Sequence, residues 1–303
     1  MLRIGTRDSE LAIIQANEVA ASLTSLGIPS ELVYVKTSGD LNPEKPIHQF
    51  GSVGIFTKEL DSALLENRID VAVHSCKDLP SELDTDFTIA ACLPREDAAD
   101  VLICRTDAEI IFQEDYLAVI ATGSVRRKAA WKSRYPNHTT VEVRGNIKTR
   151  IQKLNNNNWD GLIMASAALK RLKINLPEIV VLDWLVPSPA QGIIAVVCKK
   201  SDRDIIQQLK RINHRDSFIA ATVERNFLHL MEGGCVAPIG ALAEIKNDTL
   251  FLKCSVMSVN GKEKVEFELQ SSASDYATLG AKAFLYAQSK GAVEIINAIK
   301  NKS

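Results

Sequence analysis

Cys235 is the first residue in this 303-residue chain whose setting suggests chemistry, because it follows directly on Glu232-Gly233-Gly234. Glycine reaches positive φ and lets other groups approach the backbone, so a thiol on such a hinge can face a cleft and act as an attachment point. Equally, Gly-Gly can be a simple helix stop and Cys235 a small buried hydrophobe. Spacing leaves both readings open. A second stretch, His74-Ser75-Cys76-Lys77-Asp78-Leu79-Pro80, sets one acid beside a lysine. Asp78 there can stabilise a cation or pass a proton, or it can pair with Lys77 or cap a turn. His74 and Cys76 read as packing or hydrogen-bonding residues at a strand end. The third feature is a set of cations, Arg7, Lys77, Arg126, Arg127, Arg144 and Arg150, at or just past expected strand ends, together with Ser124. Any one of these arginines is ordinary surface charge. As a group they lie where open α/β sheets bind ligands. Ser124 at a helix start, with Arg126 and Arg127 in the first turn, puts positive charge where the helix dipole already favours anions. Guanidinium groups take carboxylate oxygens two at a time, so several of them with a single acid suit a ligand bearing several carboxylates.

The elements that must position these groups follow a βα rhythm. Leu2 to Thr6 reads as a strand, Asp8 or Ser9 as the cap of a helix running to Gly27, and Glu31 to Lys36 as a second strand. Asp40 to Ser52 is polar and without periodicity, as expected of a loop or lid. Phe56 to Asn67 reads as a helix and Ile69 to Val73 as a buried strand leading into the Asp78 stretch. The rhythm restarts near Arg95, with strands at Val101 to Cys104, Leu117 to Ala121, Thr140 to Val143 and Asp160 to Met164. Three of these lead into helices that begin near Val125, carry Lys148 and Arg150, and carry Lys170 and Arg171. The run Asn155 to Asn158 reads as a loop. Val186 to Gly192 is a crossover, followed by a strand at Ile193 to Cys198 and a helix at Asp202 to Ile212. A helix from Ser217 to Met231 reaches the Cys235 loop. The tail changes character, with strands near Ala241 to Ile245, Leu250 to Met257 and Lys264 to Leu269, an Asn260-Gly261 hairpin turn and two closing helices.

Composition narrows the class. With 46% hydrophobic and 24% charged residues the chain is a globular protein, and at 303 residues it needs two or three domains. A net charge of -1 argues against a general nucleic-acid or membrane-surface binder, which needs a large basic excess. No apolar run is long enough to span a bilayer and the start lacks a signal-peptide core, so the expected location is cytoplasmic. The six cysteines are scattered, with no Cys-x-x-Cys pair and no histidines at zinc spacing, so reduced thiols and no metal are expected.

Several segments match one known pattern, and in its order: Arg3-Ile4-Gly5-Thr6-Arg7, Thr57-Lys58-Glu59-Leu60, Val73 to Pro80, Arg95-Glu96-Asp97, Ser124-Val125-Arg126-Arg127, Arg144-Gly145-Asn146, Leu169-Lys170-Arg171-Leu172 and Glu232-Gly233-Gly234-Cys235. Over nearly its whole length the chain resembles the hydroxymethylbilane synthase (porphobilinogen deaminase) family. The resemblance implies an α/β fold: two alike domains, similar to type II periplasmic binding proteins, around a cleft, plus a smaller α+β C-terminal domain carrying the cysteine. The boundaries expected are 1–94 with 193–213, then 97–188, then 216–303.

The resemblance also implies a transferase of porphyrin and heme biosynthesis. One dipyrromethane cofactor per chain would be joined to Cys235 as a thioether. Four porphobilinogen molecules would be added head to tail with loss of ammonia, and hydrolysis would release the linear tetrapyrrole hydroxymethylbilane. Asp78 would be the catalytic residue, stabilising the azafulvene-like cation and assisting proton transfer. Lys77, Asp78, Ser124, Arg126, Arg127 and Arg144 would bind the cofactor, and Arg7, Phe56, Arg150 and Arg171 the substrate. The chain would act as a monomer, binding neither nucleic acid nor membrane, and pass its product to uroporphyrinogen-III synthase. Four positions depart from the family pattern: Val53 and Gln49 stand where basic residues are common, Gly123 where a serine is usual, and Ala190 where a glycine is usual. The main rival is a non-catalytic small-anion binding module of periplasmic-binding type, which shares the fold but takes no covalent ligand. A thiol hydrolase using Cys76 and His74, and a transcriptional effector-binding protein, are weaker rivals.

Overall fold

The computed structural model describes residues 1–36, 57–231 and 237–301. The 40–52 loop, with Gln49, and Val53, Phe56 and Cys235 lie outside the described residues.

The chain opens with strand β1 (Leu2–Arg7), helix α1 (Glu10–Thr24) and strand β2 (Ser30–Val35). Leu2 and Ile4 alternate into the core, and α1 buries Ala12, Gln15, Ala16, Val19 and Leu23 along one face. Helix α2 (Lys58–Leu65) follows, then strand β3 (Val71–Ser75) and a one-turn 3₁₀ segment at Cys76–Asp78. Strand β3 begins two residues later than the sequence suggests, after Ile69, whose side chain lies close over Gly5. Strand β4 (Phe87–Cys92), which the sequence reading passes over, comes next. Its Thr-Ile-Ala-Ala run has little bulk to mark a strand and is recruited by pairing.

The chain continues through β5 (Asp100–Cys104), α3 (Ala108–Ile111), β6 (Val119–Ala121), α4 (Val125–Arg134) and β7 (Thr139–Val141). It then forms α5 (Ile147–Asn156), β8 (Gly161–Ala165), α6 (Ser166–Arg171) and the short β9 (Ile179–Val181), another strand the sequence does not announce. Helix α5 runs into the asparagine run, so Asn155 and Asn156 form its last turn. The crossover returns the chain to β10 (Ile194–Lys199), followed by α7 (Arg203–Lys210) and α8 (Arg215–Leu230). The tail is a meander of β11 (Ile239–Lys246), β12 (Thr249–Met257) and β13 (Lys264–Ser272), closed by α9 (Tyr276–Ser289) and α10 (Ala292–Lys300).

Two five-stranded sheets share one plan. The first runs β2-β1-β3-β10-β4 and the second β7-β6-β8-β5-β9. In each, the first three strands named are parallel, and the fourth is antiparallel to both its neighbours. That fourth strand, β10 or β5, is the one that follows a crossover. This is a repeated α/β plan, as the resemblance implies, with a smaller antiparallel sheet and helices at the C-terminus.

The chain divides into two compact units, residues 1–96 with 190–222, and residues 97–189 with 223–303. In the first, α1 and α7 cover one face of the sheet around Ile4, Val19, Leu23, Val71, Val73 and Leu209. In the second, both faces of the sheet are covered. One cluster centres on Trp131 and includes Met257 from β12, and the other packs Leu154 and Leu169 onto Leu162 and Met164. Through Met257 and the Ala241 to Pro187 backbone hydrogen bond, the C-terminal sheet is grouped with residues 97–189 in one unit. Among the described residues no helix is long and apolar enough to cross a membrane.

Candidate active site

In the first unit the functional side chains gather at the ends of β1 and β3. Strand β3 delivers His74 and Ser75, and the 3₁₀ turn then carries Lys77, half-buried, and Asp78, exposed. Two glutamines brace this segment. Gln15, buried on α1, donates from Nε2 to Ser75 Oγ at 2.8 Å, and the Ser75 hydroxyl donates back to Gln15 Oε1 at 3.1 Å. Gln191, 1% exposed, accepts from Lys77 Nζ at 3.2 Å through its side chain and from Arg95 Nε at 2.8 Å through its carbonyl.

The turn that presents Gln191 contains Ala190 at φ 61°. A non-glycine residue in that region costs about 1–2 kcal/mol, so alanine in the usual glycine position leaves the turn intact but strained.

Arg7 ends β1. The β1–β3 register pairs Ile4 with Val71 and Gly5 with Ala72, and continuing it sets Arg7 beside His74. Burial, with the charge of Arg7 adding to it, lowers the His74 pKa to about 4, and its Nε2 is buried without a hydrogen-bond partner among the described residues. His74 is therefore a neutral imidazole.

In the second unit the cations sit at two helix starts. Ser124 caps α4, its Oγ accepting from the Arg127 backbone N–H at 3.4 Å. Neither α4 nor α5 has an acid in its first turn. Arg126 and Arg127 are both 7% exposed and converge on Asp100, which is fully buried at the start of β5. Arg126 Nη2 lies 2.7 Å from Asp100 Oδ2, and its Nη1 donates to the Val186 carbonyl at 2.8 Å. Arg127 donates from Nε to Asp100 Oδ1 at 3.0 Å and from Nη1 to the Ile163 carbonyl at 3.2 Å. Burial pulls the Arg126 pKa down, opposed by Asp100 and reinforced by Arg127.

Gly123, just before the cap, is required by close approach: a Cβ there would lie 2.7 Å from the Val143 carbonyl oxygen. A serine in the family's manner does not fit without movement of backbone.

The Arg144-Gly145-Asn146 stretch makes the second helix start. Gly145 has φ 109°, and Asn146 Oδ1 accepts from Thr149 N at 2.9 Å to cap α5. Arg150 Nε donates back to the Gly145 carbonyl at 2.7 Å, and Arg144 Nε bonds Glu142 Oε1 at 2.7 Å. Both arginines remain half-buried. Arg171 differs: it closes α6 at the helix C-terminus, where the dipole favours a cation.

The first unit thus brings Arg7, His74, Lys77 and Asp78 to one strand-end region, and the second brings Ser124, Arg126 and Arg127 together around Asp100, with Arg144 and Arg150 at the neighbouring helix start. Sequence reasoning missed Asp100, Gln15 and Gln191. Gln15 carried a signal, since it falls between Leu11 and Val19 on the apolar stripe of α1. Asp100 carried none, sitting in a polar run before a strand. A groove of about 600 Å³ lies in the second unit, lined by Lys132, Ser133, His138, Thr140, Asn260 and Lys262 among others, none of them an expected site residue.

The donor set fits a polycarboxylate cofactor. Two buried guanidinium groups share one carboxylate, leaving a net positive charge that an anionic group would neutralise. Residues 2–207 match the porphobilinogen deaminase, dipyromethane cofactor binding domain family, and residues 218–285 match the porphobilinogen deaminase, C-terminal domain family. The chain is 42% identical over 271 residues to a porphobilinogen deaminase of Syntrophomonas wolfei, covering 87% of each chain. It is 43% identical over 262 residues to a probable porphobilinogen deaminase of Methanocaldococcus jannaschii, covering 85% of this chain and 88% of that one. It is 38% identical to a chloroplastic porphobilinogen deaminase of Oryza sativa over 82% of this chain and 71% of that one. With both domain families matched in order and relatives aligned over most of their length, the chain belongs to the porphobilinogen deaminase family.

Proposed function

We propose that the chain is a hydroxymethylbilane synthase that condenses four porphobilinogen molecules, with loss of ammonia, onto a dipyrromethane primer held by Cys235, and then releases the linear tetrapyrrole by hydrolysis. The observation that carries this reading is the buried two-to-one arrangement of Arg126 and Arg127 on Asp100, which calls for an anionic ligand. When bound, the dipyrromethane supplies a nucleophilic pyrrole carbon. Ser124, Arg126, Arg127, Arg144 and Lys77 hold its carboxylates and fix the rings. Arg7, Arg150 and Arg171 take the side-chain carboxylates of incoming porphobilinogen, with Phe56 against its ring. Asp78, exposed on its turn, accepts hydrogen bonds from pyrrole N–H groups. It also stabilises the positive charge left on porphobilinogen as ammonia departs and passes the proton released on condensation.

The separate sheets, and the break between the two family matches at 207–218, support a three-domain division at 1–94 with 193–213, 97–188 and 216–303. Scattered cysteines support a reducing, cytoplasmic setting. We take the chain to act as a monomer whose product goes to uroporphyrinogen-III synthase.

Intact mass under denaturing conditions tests the reading. The expected result is an excess of two porphobilinogen units less two ammonia molecules, mapped to Cys235 and missing from Cys235→Ser. If the wild-type chain carries no excess mass and incubation with porphobilinogen adds none, a non-covalent anion-binding module replaces it.

A further inference from the structure

Asp100 is fully buried, and its two carboxylate oxygens are divided between two arginines, Oδ2 to Arg126 and Oδ1 to Arg127. Each guanidinium is fixed at a second point by a backbone carbonyl, Val186 for Arg126 and Ile163 for Arg127. One carboxylate between two cations does two things. It lowers the repulsion between neighbouring guanidinium groups enough for both to stay charged in a buried setting, and it sets the plane and tilt of each fork. It also leaves one positive charge uncancelled. Apolar residues of the same volume often serve a core as well as a buried ion group or better, so stability alone does not account for this one. The surplus positive charge of the two-to-one arrangement suits an anion.

We infer that Asp100 is a positioning residue for the cofactor: it aims Arg126 and Arg127 so that their residual charge receives one pyrrole carboxylate, and it thereby governs assembly of the primer on the apoprotein. The inference rests on the proposed function, since it presumes that a polycarboxylate pyrrole is the ligand. Position matters here as well as charge. In Asp100→Glu the charge is kept while the carboxylate moves by one methylene, and a displacement of that size costs roughly 10–100-fold where geometry carries the effect. Asp100→Asn keeps the shape and removes the charge, leaving two buried cations facing each other.

The test follows covalent mass gain by apoprotein incubated with porphobilinogen, with thermal midpoints recorded alongside. The wild type should gain the two-pyrrole mass. Asp100→Glu should stay folded yet gain it roughly 10–100-fold more slowly, with a KM increase of similar size once loaded; Asp100→Asn should be slower still. Normal mass gain by Asp100→Glu overturns the inference, as does a deficit fully accounted for by the unfolded fraction. If Asp100→Asn does not fold, Asp100→Glu decides alone. If the wild type itself gains no mass, the proposed function fails and the inference with it, an outcome distinct from normal variants.

Discussion

The strand-end turn of the first unit and the helix start of the second handle buried charge in opposite ways. His74 is buried with Arg7 nearby, and it gives up its charge, with a pKa near 4. Arg126 is as deeply buried and has another arginine beside it, yet Asp100 at 2.7 Å opposes the downward pull on its pKa. The surroundings are equally dry. What differs is first the base itself, a guanidinium being far more basic than an imidazole, and then the carboxylate partner, which partly offsets the effect of burial at Arg126. The same contrast separates roles. The first unit leaves Asp78 exposed on a short turn, while the second locks its cations into fixed directions before any ligand arrives.

Removing the exposed acid is the largest test of that division. Asp78→Asn should lower kcat by about 10²–10⁴-fold while leaving the melting temperature unchanged, because the side chain is surface-exposed. A variant with normal turnover would assign the proton chemistry elsewhere.

The neutral His74 makes a pH prediction. Its folded pKa lies below the unfolded value of 6.5, so its contribution is fully present above pH 6.5 and is lost as pH falls through about 4. The loss is on the order of 3 kcal/mol. Melting curves from pH 7 to pH 4 should be flatter for His74→Phe than for the wild type, and an unchanged slope would show that another group governs acid sensitivity.

On the other side of the comparison, Arg127→Met leaves Arg126 and Asp100 as a neutral one-to-one pair and removes the surplus charge. A charge-assisted hydrogen bond is worth about 1.5–3 kcal/mol, so the apoprotein should gain the two-pyrrole mass from porphobilinogen roughly 10–100-fold more slowly. An unchanged rate of mass gain would mean that the triad serves the fold alone.

The smallest effect concerns Gly123. Restoring the serine common in the family should destabilise this chain by about 1–3 kcal/mol, since its Cβ meets the Val143 carbonyl. Calorimetry of Gly123→Ser showing no loss would mean that the backbone at Val143 yields.

Much of the architecture is legible without coordinates. Periodic burial on α1, the Ser124 and Asn146 caps and the glycine of the Asn260-Gly261 turn each announce a local structure from local chemistry. The strands β4 and β9 escape because they are short or poor in bulky residues and exist only through pairing with β10 and β5. The strand-end placement of Asp78 and the arginines is legible for the same reason as the fold: βα units put the residues after each strand at one edge.

Residue order by itself determined the repeated βα plan, the helix caps and the clustering of cations after strands, since each depends on neighbours within a few positions. Only the tertiary structure decided that Asp100 is shared by Arg126 and Arg127, that Gln15 and Gln191 brace Ser75 and Lys77, and that His74 is neutral. Those outcomes join residues from 26 to 114 positions apart, and burial and counter-charge at such separations are set by packing, which no local pattern encodes.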